Sequence, residues 1–127
     1  MPTQQYTQSW SRGSDTLSGY TSITEDGAID VDTTVTAGQV DKEVDIALDV
    51  SKMSGMFLLS DQTITLETNS ATVPVNTLTL TAGIPIVWHT SCGLPNPLTI
   101  DVTKLFLTNA GASLATVNLR FQQDVTA

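Results

Sequence analysis

The segment EVDIALDV, residues 43–50, sets Val44, Ile46, Leu48 and Val50 on one side of an extended chain and Asp45, Ala47 and Asp49 on the other. An apolar residue at every second position is the period of a strand, whose side chains alternate between two faces; a helix needs recurrence at three and four. The segment reads as a half-buried strand with its other face in water. The alternation returns in Ile29, Val31 and Thr33 against Asp30, Asp32 and Thr34, and again in QTITLETN (62–69), TLTLT (77–81) and ATVNLRF (115–121). SGMFLLS (54–60) is a continuous apolar run, as expected of a more buried strand, and TVPV (72–75), LTIDV (98–102) and TKLFLT (103–108) add extended segments. Pro74 and Pro85 confine the strands beside them to sheet edges or first positions, because proline has no N–H to give a ladder. The turn residues after TKLFLT predict a hairpin between that segment and ATVNLRF.

No stretch of ten residues carries a helical stripe; VSKMSGMF comes nearest, and Gly55 argues against it. Eight to ten short strands separated by turns predict an all-β fold over residues 29–127, an antiparallel β-sandwich of jelly-roll-like kind. A chain of 127 residues is one domain's worth and can bury a core without disulfides. Residues 1–28 stand apart. They are rich in Thr, Ser, Gln and Gly with no sustained period, and read as an extended N-terminal arm. Tyr6, Trp10 and Tyr20 are unusual there, since solvating tails are poor in aromatics. Aromatic and arginine side chains dominate interface energy, so Tyr6, Trp10, Arg12 and Tyr20 are the expected contacts to a partner chain.

The net charge of −8 and the scatter of Arg12, Lys42, Lys52, Lys104 and Arg120 argue against nucleic-acid binding, which relies on clustered cations to displace phosphate counterions. The runs MFLL and IPIVW are too short to cross a bilayer. MPTQQYTQSW lacks the basic and apolar regions of a secretory leader, so a soluble protein made in the cytoplasm is expected. A single cysteine permits no internal disulfide.

IVWHTSCGLPNPL (86–98) holds the only histidine and the only cysteine, His89 and Cys92. Cysteine catalysis needs a histidine and usually a third group that orients its ring, drawn from separate parts of a fold; here only Asp101 or Asn96 could serve. Two residues also fall short of the three or four protein ligands of a usual zinc site. The expectation is a structural histidine and a free buried cysteine, with Gly93, Pro95 and Pro97 stiffening a crossing between strands. The acidic series Glu25, Asp26, Asp30, Asp32, Asp41, Glu43, Asp45 and Asp49 has the ligand type of a calcium site but not its loop spacing, and reads as a solvated sheet face. G-x-S-x-G, H-E-x-x-H and Gly-rich phosphate loops do not occur. No catalytic residue, metal site or cofactor is therefore expected, and the chain is not read as an enzyme.

The stretches TEDGAIDVDTTVTAGQVDKEVDIALDVSKMSGMFLLSDQTITLETNS and TLTLTAGIPIVWHTSCGLPNPLTIDVTKLFLTNAGASLATVNLRFQQD resemble the head decoration, or cement, proteins of tailed bacteriophages with a jelly-roll body. The likeness covers roughly residues 25 to 125 and lies in strand and turn texture. It implies a virion protein on the outer capsid surface that clamps neighbouring major capsid subunits. It also implies self-association as a dimer or trimer, and an arm lying along the shell. Two other readings fit an all-β chain empty of catalytic motifs: a tail or neck structural protein, and a carbohydrate- or receptor-binding module using Trp10 or Trp88.

Overall fold

A computed structural model describes residues 3–24 and 27–124 of the chain. β1 (Thr3–Arg12) and β2 (Asp15–Thr24) form a hairpin of their own. The body follows: β3 (Gly27–Val35), β4 (Lys42–Leu48), β5 (Met53–Ser60), β6 (Ile64–Thr68), β7 (Thr77–Leu80), β8 (Ile86–His89), β9 (Val102–Thr108) and β10 (Ala115–Gln123). The one helical turn among the described residues, Val50–Lys52, is capped by Asp49 Oδ1, which accepts from the Ser51 amide.

The body strands make two antiparallel four-stranded sheets, ordered β3-β10-β5-β8 and β4-β9-β6-β7. Four of the pairings nest: β6 with β7, β5 with β8, β4 with β9 and β3 with β10. The body is thus one long antiparallel ribbon doubled back at residues 69–76. It is wrapped so that β10 also pairs with β5 and β9 with β6. This is the arrangement of an eight-stranded jelly roll.

The alternation seen in the sequence decides which face is dry. Met56 and Leu58 of β5, with Val117, Leu119 and Phe121 of β10, meet Ile64, Leu66, Leu105 and Leu107 of the other sheet in a core from which water is excluded. The outward residues are mostly polar, with Phe57, Leu59 and Phe106 among them, and on each sheet a cation sits between two carboxylates of the neighbouring strand. Arg120 reaches Asp32 at 2.8 Å and Asp30 at 3.7 Å on one sheet; Lys104 bonds Glu43 and Asp45 on the other. The Arg120 and Asn118 hydrogen bonds hold the Asp32 carboxyl below the usual carboxylate range. The acidic series is therefore partly neutralised by its own cross-strand partners, although Asp49 belongs to the turn and not to a strand face. Glu25 and Asp26 lie outside the described residues.

Four expectations need correction. TKLFLT and ATVNLRF do not form a hairpin, because β9 and β10 lie in different sheets. Buried Asn109 explains the crossing: its Nδ2 donates to the carbonyls of Val35, at the end of β3 in the far sheet, and of Ser113, while its Oδ1 accepts from the Gly111 amide. TVPV is part of the β6–β7 turn, with Ser70 Oγ accepting from the Val73 amide, and of LTIDV only Val102 is in a strand. Cys92 is half-buried.

The N-terminal segment is the fourth. It is regular where the sequence showed no period, with ten paired positions from Thr3–Thr24 to Arg12–Asp15. A two-residue turn, Gly13–Ser14, closes it, and Gly13 at φ 59° occupies the first turn position, where type II′ turns require glycine. Its alternation is easily overlooked because most of its side chains are serine, threonine or glutamine, so polar residues fall on both faces.

Phe121 sits on β10, paired on both sides, at the middle of the core. Phe121→Ala is expected to cost about 3–5 kcal/mol in a urea denaturation series. A loss under about 1 kcal/mol would contradict this core placement.

Candidate functional site

The pairing of three strands brings Gln122, Gly55 and His89 into one row. Gly55 of β5 lies opposite Gln122 of β10 on one side and opposite His89 of β8 on the other. The row faces away from the core, since the neighbours Met56 and Phe121 point inward. Gln122 and His89 would be wet there, yet they are 0% and 6% exposed, because the base of the hairpin covers them. Ser54, next to Gly55, has no partner in the β5–β10 register, a bulge of the kind that re-aims side chains beside sites.

Tyr6 fills this socket. It is the one side chain of the hairpin that is fully buried among the described residues, at 5% exposure. Its ring centroid lies 4.9 Å from that of His89, in a tilted arrangement. Its hydroxyl points at Gln122 Oε1 (3.2 Å) and Gln4 Oε1 (3.1 Å), sharing one proton between them. Gln122 closes the clamp by donating from Nε2 to the carbonyl of Ile23 on β2 at 2.7 Å, so one buried amide holds both hairpin strands. Gly55 makes the fit: a Cβ built there would lie 2.6 Å from Cζ of Tyr6 and nearer still to its hydroxyl. Burial pushes the Tyr6 phenol up to about 12, since the phenolate would lose its hydration. His89 Nδ1 is buried without a hydrogen-bond partner.

Beyond Tyr6 the hairpin leaves the body. Residues 7–20 are exposed on both faces. The face that carries Tyr6 continues outward as Gln8 opposite Gly19, Trp10 opposite Leu17, and Arg12 opposite Asp15. Trp10 and Leu17 form a cross-strand apolar pair, 47% and 65% exposed. The Arg12 guanidinium lies 5.4 Å from the Trp10 ring centroid, a cation–π contact, and 4.0 Å from Asp15 across the turn. Tyr20, 70% exposed, belongs to the opposite, Ser/Thr-rich face. Two hollows share Gln8 and Gly19: a shallow one of about 380 Å³ runs to Trp10 and Leu17, and the other, of about 340 Å³, runs past Tyr20 back to Tyr6, His89 and Cys92.

Of the four residues expected to contact a partner, Tyr6 is taken up by the chain's own body, while Trp10, Arg12 and Tyr20 remain at the surface. Sequence reasoning missed Gly55 and Gln122. Their signals were faint: a glycine inside an apolar strand run, and a glutamine continuing the alternation of β10 after Phe121. His89 and Cys92 do not assemble into a nucleophile pair; the Cys92 thiol points toward the Leu94 carbonyl at 3.8 Å, and its amide donates to the His89 carbonyl in a tight turn. Trp88 is half-buried against the core, its Nε1 donating to the Leu94 carbonyl.

The socket can be tested at two of its residues. Gly55→Ala is expected to expel Tyr6, at about 1–3 kcal/mol for the overpacked contact. It should speed limited proteolysis within residues 7–24 while core amides keep their hydrogen-exchange protection; unchanged proteolysis would refute the fit. In a Tyr20→Phe variant the remaining phenol should titrate near 12 by ultraviolet absorbance rather than at the ordinary tyrosine value of 10.0. The raised value means that docking stability is complete below about pH 10 and lost as pH rises towards 12, so hairpin amides should begin to exchange as on release only in that window.

Comparison of the chain with protein-family models, with curated proteins and with solved structures gave no match in any of the three.

Proposed function

We propose that the protein is a virion structural protein that decorates the outside of an assembled head and clamps neighbouring major capsid subunits, with the distal hairpin as its attachment element. The observation that carries this reading is the contrast between hairpin and body. Residues 1–24 hold one Arg and one Asp and no other charged side chain, so the whole net charge of −8 lies in residues 25–127. A ribbon of zero net charge bearing an exposed Trp10–Leu17 pair is rooted by Tyr6 in an acidic jelly roll.

The physical argument is one of cost. A two-stranded ribbon is at best marginally stable in water, and serine- and threonine-rich strands add little packing of their own. A tryptophan and a leucine held in water on such a ribbon gain most when another surface covers them. The strand texture shared with cement proteins supports a shell as that surface, and jelly rolls occur among viral capsid domains, although fold alone does not fix function. A protein that binds the assembled shell and not its free subunits stabilises the shell by mass action, against the pressure of packaged DNA.

Co-sedimentation with purified heads of the phage that encodes the protein tests the reading. The full chain is expected to pellet with mature heads, and the Trp10→Ala/Leu17→Ala double variant to bind roughly tenfold or more weakly, since aromatic anchors carry most of an interface's energy. Equal binding by the variant would remove the hairpin from the contact. Recovery of the protein only in tails would sink the decoration reading.

A further inference from the structure

A strand at the edge of a sheet offers unpaired N–H and C=O groups to any extended chain that meets it, and folded proteins blunt such edges with short strands, bulges, proline or charge. All four edges of the jelly roll are blunted. β7 and β8 are four residues long, and Pro85 directly precedes β8. β4 is interrupted by a register shift between Asp45 and Leu48. β3 carries Asp30 and Asp32, and Lys42 Nζ donates to its Thr34 carbonyl.

The hairpin has none of these devices. β1 and β2 are ten residues each and pair without a bulge. Residues 3–24 contain no proline and no lysine, and their only charges, Arg12 and Asp15, sit at the tip. The two strands form a sheet of their own, so both edges are open. Among the described residues no hydrogen bond from outside the hairpin reaches the backbone of residues 7–20; the Gln122 amide stops at the Ile23 carbonyl.

The register says which groups are open. Arg12 and Asp15 flank the two-residue turn and bond each other across it, and hydrogen-bonded pairs alternate with unbonded ones from there on. Trp10–Leu17 and Gln8–Gly19 are bonded pairs. Ser11–Thr16, Ser9–Ser18 and Thr7–Tyr20 are not, so their N–H and C=O groups point away from the partner strand. β1 thus presents Thr7, Ser9 and Ser11, and β2 presents Thr16, Ser18 and Tyr20, all exposed and uncharged.

We propose that the hairpin attaches by strand addition: an open, uncharged strand of the shell subunit pairs along one edge of the distal ribbon and makes it a three-stranded sheet. This deepens the shell reading and rests on it. Main-chain bonds supply the affinity in such a contact, and side chains on the faces supply selectivity. Side chains of the incoming strand that share the Trp10–Leu17 face fall beside one member of that pair, within reach of packing. A third strand also gives most to a two-stranded ribbon, which is marginal alone. A charged strand would meet no counter-charge along residues 7–11 or 16–20.

Proline substitution on the two edges tests the proposal, with co-sedimentation on purified heads as the readout. Ser9 and Ser18 face each other across the ribbon, and both amides point outward, so proline at either removes no bond of the hairpin. One of Ser9→Pro and Ser18→Pro is expected to weaken head binding roughly tenfold or more, and the other to bind as the wild type does. Ser9→Ala and Ser18→Ala should leave binding unchanged, because the main chain is what is read. Limited proteolysis within residues 7–24 that stays as slow as in the wild type shows each variant's hairpin still seated. A second measurement needs no variant. Hydrogen exchange on head-bound protein, read by NMR after release, should show new protection at alternate amides of one strand: Thr7, Ser9 and Ser11, or Thr16, Ser18 and Tyr20. Binding lost in both proline variants or in neither overturns strand addition, as does protection that does not alternate. A wild-type chain that fails to pellet with heads removes the shell reading and this inference together, whereas one that pellets indifferently to both prolines removes strand addition alone. Self-association of the free protein, abolished by one of the prolines, would give the edge to a second copy and overturn the assignment to a shell strand.

Discussion

The pairing of β10 with both β3 and β5 is the constraint on which the rest of the molecule depends. It joins segments about ninety residues apart on one side and about sixty on the other, and it brings Gln123 beside Gly27, where the hairpin meets the body. Until β10 inserts, the inner faces of β5 and β3 have no continuous sheet, and the row Gln122, Gly55, His89 does not exist. Fold and candidate site thus share one cause. Contacts of such separation must overcome loop-closure entropy before they are rewarded, so this topology folds slowly compared with local hairpins.

The hairpin inverts the logic of the body. The jelly roll is held by a dry interior and presents charge to water; its surface pairs, Arg120 with Asp30 and Asp32 and Lys104 with Glu43 and Asp45, lie in solvent and contribute little net stability each. The hairpin has no interior. One aromatic ring, one buried amide and one missing Cβ connect it to the body, and past that point its apolar side chains face solvent. Residues 7–20 take no part in the core of the body, and their side chains are held in register by strand pairing alone.

Strand alternation, the absence of a helical stripe and the punctuation by Gly, Pro and Asn already specified an all-β sandwich, because period-two patterning is a local consequence of how a pleated chain must bury one face. Tyr6, Trp10, Arg12 and Tyr20 stood out for a similarly local reason, as aromatics and a lone cation in a segment otherwise made of small polar residues. What only the tertiary structure decided is which face each serves and what lies across from it. TKLFLT and ATVNLRF looked like a hairpin because turn residues separate two strands; they part into two sheets because β10 pairs with β3 and β5, and Asn109 pins the crossing by reaching the Val35 carbonyl, seventy-four residues away. Tyr6 proved internal for the same reason: its socket is assembled from β5, β8 and β10, and no window of sequence contains all three. Side-chain period is encoded residue by residue, but a socket is encoded in register between distant strands, and register exists only once the chain has closed on itself.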